Sequence, residues 1–408
     1  MSKSQGRSLA ALTAVGAIVL AGCAVTTPTP APIAAEAKVV DEFSPLVISM
    51  VVPGPIPVRG TDGLYHLVYE LQVQNASPRP ASLVSIVSSA NGNVIDETTG
   101  AELAARMLPI GDYPFPPRPI AEIAPGTSAL VLMDTTFEDR AAVPKALDQA
   151  ISATFGEVRT GQANFAKLFP TKVVAHASTP VTQGDPIRVG PPLTGPNWVA
   201  VNGCCRLSPH RGAMIPIGGR INASERYAVD WARLDLTEIQ VGENLRSFSG
   251  DPDDNADYLA YDQPVLAVAN GVVAVVSDGL PDMTPNVLQD DLPLKDYGGN
   301  YIVLKISEGV YAFYAHLKSG SMKVDVGDTV HLGDEIGRTG NSGNTSESHL
   351  HFHLMDGLAP LTSRNLPFEI TAFSMVGALS PDGSEFVVDE GDRADELPLG
   401  GSGISFPD

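Results

Sequence analysis

His349-Leu350-His351-Phe352-His353 decides the fold. On a β-strand, side chains two apart share a face, so His349 and His351 point one way while Leu350, Phe352 and Leu354 point the other. The apolar side belongs to a core, and the two imidazoles can approach one atom. That pattern argues against a floppy histidine-rich tract. Upstream, Tyr311-Ala312-Phe313-Tyr314-Ala315-His316-Leu317 reads as another strand, with a histidine near its end. Earlier still, Arg226-Tyr227-Ala228-Val229-Asp230-Trp231 places an acid in an otherwise apolar strand. A carboxylate is costly to bury there unless it is paired or bound to a cation. His210 precedes it in Ser208-Pro209-His210-Arg211. Two imidazoles, one carboxylate and spare histidines are the inventory of a zinc site with three protein ligands and an open position.

In this order, Asp230, the Tyr-Ala-His-Leu stretch ending at Leu317, and His349-Leu350-His351-Phe352 resemble the motifs of LytM/lysostaphin-type zinc metallopeptidases, enzymes that cut peptide bonds in bacterial peptidoglycan. Pro264–Val273, Gly299–Val303, Val326–Val330 and the glycine turn Gly340-Asn341-Ser342-Gly343 fit the connecting segments. The resemblance covers roughly residues 195–378. It implies an antiparallel β peptidase domain of the duplicated-hybrid-motif kind, with Zn²⁺ held by His210, Asp230 and His351, and with catalytic roles for His349 and His316. One departure stands out. The usual first motif spaces its His and Asp four positions apart, whereas His210 and Asp230 are separated by an insertion. His353, on the same strand face, is the substitute ligand if His210 fails.

Residues 45–185 are expected to form an immunoglobulin-like β-sandwich of unknown ligand, a candidate site for a protein partner. Tyr65–Asn75 alternates, with Leu67, Tyr69, Leu71 and Val73 on one face and His66, Glu70, Gln72 and Gln74 on the other. Asn91-Gly92 signals a hairpin. On this reading the polar face, His66 included, is solvated, as is His176. Gly190-Pro191-Pro192-Leu193-Thr194-Gly195-Pro196 marks the boundary to the second domain. The fold class is therefore mainly β, a sandwich followed by the peptidase domain, with residues 379–408 as an acidic C-terminal tail.

Residues 1–22 read as an address. Lys3 and Arg7 precede an uncharged run, Ser8 to Leu20, shorter than the ~20 residues that cross a bilayer as a helix. Leu20-Ala21-Gly22-Cys23 resembles the lipobox of bacterial lipoproteins, which implies acylation of Cys23 and cleavage before it. Two or more acyl chains give stable membrane anchoring. Ala24 is compatible with the periplasmic face of the outer membrane in a Gram-negative cell, since Asp there would signal inner-membrane retention. Residues 23–44, rich in Pro and Thr, read as an extended tether.

Composition agrees. Of 408 residues, 26 are Lys or Arg and 47 are Asp or Glu, for a formal net charge of -21. Such a chain repels phosphate backbones, so nucleic acid is excluded as a partner bound by bulk charge. Three cysteines are too few for a disulfide framework. For the adjacent Cys204-Cys205, a vicinal disulfide, two thiols and metal ligation remain open. The expected function is a membrane-anchored zinc endopeptidase acting on peptidoglycan peptides. The alternative is a catalytically inactive LytM-like module that activates a cell-wall amidase.

Overall fold

The computed structural model describes residues 43–111, 117–158, 163–236, 246–289, 291–380 and 385–408. The expected signal peptide, Cys23 and nearly all of the tether lie outside these residues. All described residues fall in one compact unit, Phe43–Asp408. Its structure is dominated by antiparallel strands, and no described helix is long and apolar enough to cross a membrane.

The N-terminal part has two sheets. One runs Leu46–Met50, Tyr65–Asn75, Ser128–Phe137 and Met107–Pro109, with Val58–Arg59 paired to the second of these. The other runs Asn93–Thr99, Ala81–Ala90, Ala146–Phe155 and Lys172–Pro180. Leu67, Tyr69, Leu71 and Val73 meet Ile86, Leu147 and Ile151 of the second sheet in one apolar cluster, so the alternation in Tyr65–Asn75 sets which face looks inward.

The opposite face of Tyr65–Asn75 is solvated only toward its far end: Gln74 is exposed, but His66 and Glu70 are covered. Val68 joins the core of the second half, Glu70 is fully buried, and His66 is only 4% exposed. His66 lies between two carboxylates, with Nδ1 3.0 Å from Asp134 and Nε2 3.1 Å from Asp62. The expectation of a solvated polar face is corrected for His66 and Glu70. Glu70 is paired with residues more than a hundred positions downstream, and His66 with the two nearby carboxylates. His176 is exposed.

The second half is built on a twelve-stranded sheet. Across its middle run Asn300–Ser307, Val310–Leu317, Leu350–Met355, Val229–Arg233, Gly195–Val201, Ser402–Phe406 and Phe373–Leu379. Trp198, Trp231, Tyr314, Phe352 and Leu350 pack beneath it. The segment read as an acidic tail is folded into this sheet: Ser402–Phe406 pairs with Gly195–Val201 on one side and Phe373–Leu379 on the other. Its Ile404 is buried in the core. Alternating small and apolar residues in Ser402-Gly403-Ile404-Ser405-Phe406 suit a strand flanked on both sides, and the acids lie before it.

Candidate metal centre

Three adjacent strands bring the site together. Val229–Arg233 pairs with Leu350–Met355 so that Asp230 stands opposite His351, and Val310–Leu317 pairs on the far side with Ala315 opposite His351. The apolar alternation of Leu350, Phe352 and Leu354 drives that face into the core, which turns His351 and His353 to the opposite face. His316 follows Ala315 with φ +61°, a left-handed conformation uncommon for a residue with a Cβ. Backbone bonds hold it there: His316 N–H donates to Gly298 O at 3.0 Å, and Gly340 N–H donates to His316 O at 3.1 Å. The glycine turn makes this possible. Gly299 (φ +62°) and Gly343 (φ +84°) lie so close to backbone atoms of Ser342 and Gly299, respectively, that a Cβ at either would collide.

Asp230 is the hub. Its Oδ2 lies 3.2 Å from His210 Nε2, and its Oδ1 lies 3.0 Å from His351 Nδ1 and 3.3 Å from His349 Nε2. His210, Asp230 and His351 offer ligand atoms all within 4.8 Å of one another, and all three are buried. The rings of His316 and His349 are 4.8 Å apart, and those of His316 and His351 5.8 Å. The structure thus brings all five residues singled out from the sequence into one pocket of imidazoles around a carboxylate.

Three of the imidazoles are oriented from behind. His210 Nδ1 is 3.1 Å from Ala228 O, His316 Nδ1 2.8 Å from Ser342 O, and His349 Nδ1 2.8 Å from Glu347 O. A carbonyl accepts only, so each Nδ1 carries a proton and Nε2 is the nitrogen turned to the site; for His210 and His349 it is aimed at Asp230. His351 presents Nδ1 instead, and its Nε2 lies 2.9 Å from His353 Nδ1. His353 therefore stands behind His351, and the ligand-type atoms that converge are those of His210, Asp230 and His351.

Electrostatics follow from this packing. Burial opposes ionisation of Asp230, but the neighbouring His210 and His349 outweigh it and hold the carboxyl well below its usual range. Burial likewise opposes charging of His210, yet Asp230 lifts its pKa to about 9. At His349 the same carboxylate overcomes burial and raises the pKa. At His316 burial dominates, helped by His349 and His351, and the pKa falls well below that of a free histidine. A carboxylate with imidazole nitrogens gathered around it has the donor set of a borderline-soft divalent ion. The residues fit zinc.

One side chain at the site, that of Asn202, carried no readable sequence signal. Asn202 donates from Nδ2 to Asp230 Oδ2 at 2.7 Å, although Asn202-Gly203 reads locally as a turn. The loops Ser247–Asp262 and Leu280–Gly298 are pinned to the turn beside His349: Ser247 Oγ donates to Glu347 at 2.9 Å, and Asn341 bonds Asn255 and Asp282, each at 2.9 Å. Cys204 and Cys205 form a vicinal disulfide. Cys205 lies near His66 and Asp134, but its sulfur is engaged in the disulfide, and both ring nitrogens of His66 are already taken, by Asp134 and Asp62.

Comparison with known proteins places the second half. Residues 256–362 match the model for "Peptidase family M23". The match includes His316, His349 and His351 but begins after Asp230 and His210. No curated protein matches the chain. Among solved structures, the catalytic domain of the antimicrobial peptidase lysostaphin from Staphylococcus simulans is similar at 23% identity, covering 37% of this chain and 80% of that one, with a TM-score of 0.22. A deep-sea M23 metalloprotease, pseudoalterin, is similar at 16% identity, covering 52% and 98%, with a TM-score of 0.25. A putative peptidase M23 from Pseudomonas aeruginosa is similar at 12% identity, covering 70% and 89%, with a TM-score of 0.22.

Proposed function

We propose that this chain is a zinc-dependent endopeptidase that hydrolyses peptide bonds in bacterial peptidoglycan, anchored in the cell envelope through a lipidated Cys23. The convergence of His210, Asp230 and His351 on one point, with His316 and His349 facing the same space, carries the assignment. The anchor is supported by the lipobox-like Leu20–Cys23 and the Pro/Thr-rich tether that follows. In a Gram-negative cell the site would face the periplasm from the outer membrane.

His210 through Nε2, Asp230 through its carboxylate and His351 through Nδ1 would hold the zinc. The ion would supply Lewis acidity toward a water molecule and toward the scissile carbonyl. The protein's own groups would do the rest. His349 and His316, their Nδ1–H atoms given to backbone carbonyls, keep Nε2 available to take a proton from the attacking water and return it to the leaving amine nitrogen. The carbonyls of Glu347 and Ser342 fix the rings, so little reorientation is needed during the reaction. Asn202 holds Asp230 so that one carboxylate oxygen faces His351. The loops pinned at Ser247 and Asn255 would form the rim along which a peptide lies.

The test is digestion of purified peptidoglycan with wild type and His351→Ala, with zinc content measured on the same samples. Wild type is expected to carry about one zinc and release muropeptides, and the variant to do neither. Full cleavage by His351→Ala would refute the ligand assignment. A zinc-free, inactive wild type that stimulates an amidase would instead establish the regulator.

A further inference from the structure

The insertion between His210 and Asp230 poses a physical problem. A ligand four positions from its partner is placed by one stretch of backbone. A ligand at the far end of an insertion must have that loop closed for it, at an entropic cost that grows with loop length. Here the insertion forms a hairpin, Met214–Ile217 paired with Arg220–Ala223, and His210 lies on a four-residue helical turn before it. The two ends of the insertion are marked by Arg211, directly after His210, and Arg226, which occupies the position four before Asp230.

Both arginines meet the same carboxylate. Arg211 Nη1 donates to Glu70 Oε1, and Arg226 donates from Nε to Oε1 at 2.9 Å and from Nη2 to Oε2. Arg211 also donates to Met133 O at 3.4 Å, on the strand beside Glu70. Glu70 and Arg211 are fully buried and Arg226 nearly so. The hairpin docks on the same surface, where Met214, Ala223 and Ile221 pack against Leu108, Leu130 and Leu132. Two residues past Arg226, the carbonyl of Ala228 accepts the Nδ1–H of His210. One carboxylate from the N-terminal sheet thus fixes the backbone on which one ligand sits and the backbone that orients its ring.

We infer that Glu70 is a positioning residue of the metal centre, a clamp through which the N-terminal sheet closes the insertion and sets His210 against Asp230. This deepens, and rests on, the zinc-site reading above. Buried ionic triads are weak evidence for stability, because apolar residues of similar volume often do as well; their best-attested use is fixing one arrangement.

Two full-length variants test it. Glu70→Asp keeps the charge but withdraws the carboxylate by one methylene. The triple variant Glu70→Leu/Arg211→Met/Arg226→Leu removes the triad while keeping its volume. Zinc affinity is read by competition with a fluorescent chelator, and muropeptide release is followed as free zinc is raised. In both variants zinc affinity is expected to fall about tenfold or more. Turnover should be lost at low free zinc and recovered at high zinc with KM unchanged, since Glu70 touches no substrate. Retention of a cooperative melt by the triple variant alongside that loss separates placement from stability. Wild-type zinc affinity in either variant overturns the clamp. A wild-type chain that takes up no zinc overturns the site reading and the clamp together.

Discussion

His353 offers a sharp separation of stability from metal binding. Its Nδ1 is 2.9 Å from His351 Nε2, while its own Nε2 is buried with no partner among the described residues. With His351 Nδ1 turned to the metal, Nε2 carries the proton and His353 Nδ1 accepts it. In His353→Leu that partner is gone with or without metal, and the buried Nε2 of His351 is left unpaired, at about 1–3 kcal/mol. The same substitution removes the unpaired Nε2 of His353, a penalty of the same kind and size. Unfolding free energy in the absence of metal should therefore change by no more than about 1 kcal/mol. The metal feels only the loss. The support that fixes the tautomer and ring of a ligand is gone, and zinc affinity should fall about tenfold to a hundredfold. His353→Asn, whose amide oxygen comes close to the Nδ1 position, should recover most of it. The measurements are denaturant unfolding of the metal-free full chain and zinc competition titration. Wild-type zinc affinity in His353→Leu would sink the idea that His353 supports His351.

Three further outcomes follow from the same geometry. His349→Ala leaves His210, Asp230 and His351 in place, so it should retain zinc while peptidoglycan cleavage falls about 10²–10⁴-fold, measured by muropeptide release. His66, raised to about 10 between Asp134 and Asp62, stabilises the fold fully below its unfolded pKa of about 6.5 and loses that contribution as pH climbs toward 10; melting should weaken across this window by up to a few kcal/mol, and His66→Gln should flatten the profile. Deleting residues 402–408 removes the strand between Gly195–Val201 and Phe373–Leu379 and exposes the core that Ile404 and Phe406 fill. At about 1.5–3 kcal/mol per side chain, besides the lost ladder bonds, that is comparable to the whole stability of a domain, so no cooperative melt is expected.

The candidate metal centre was legible where its signal is local. His349 and His351 declare themselves because Leu350, Phe352 and Leu354 fix the strand's inward face within five residues, and the period of two does the rest. Asp230 stands out because a carboxylate in an apolar strand needs a partner. The supports were not legible. Glu347, Ser342 and Ala228 act through backbone carbonyls, which every residue has, so no residue type marks them. Asn202 acts through its side chain, but its neighbours predict only a turn.

The two larger misreadings share one cause. Alternation reports which residues share a face and not what lies over that face. For Tyr65–Asn75 the polar face looked solvated because His66 and Glu70 are of the solvated type, yet the groups that cover Glu70 sit 141 and 156 residues downstream. The final strand was missed in the same way: its partners at Gly195–Val201 lie some two hundred positions earlier, and the acids just ahead of it dominate the local composition. Long-range pairing of this kind also decides how the molecule should be cut. A fragment starting at residue 195 would expose Val268's neighbours in the core that Val58 and Val68 complete, and would leave Arg211 and Arg226 buried beside no carboxylate or opened to water. Its insertion would then have nothing to dock on, and His210 would be the first ligand lost. Inactivity of such a fragment would speak to the missing N-terminal sheet and not to the chemistry of the site.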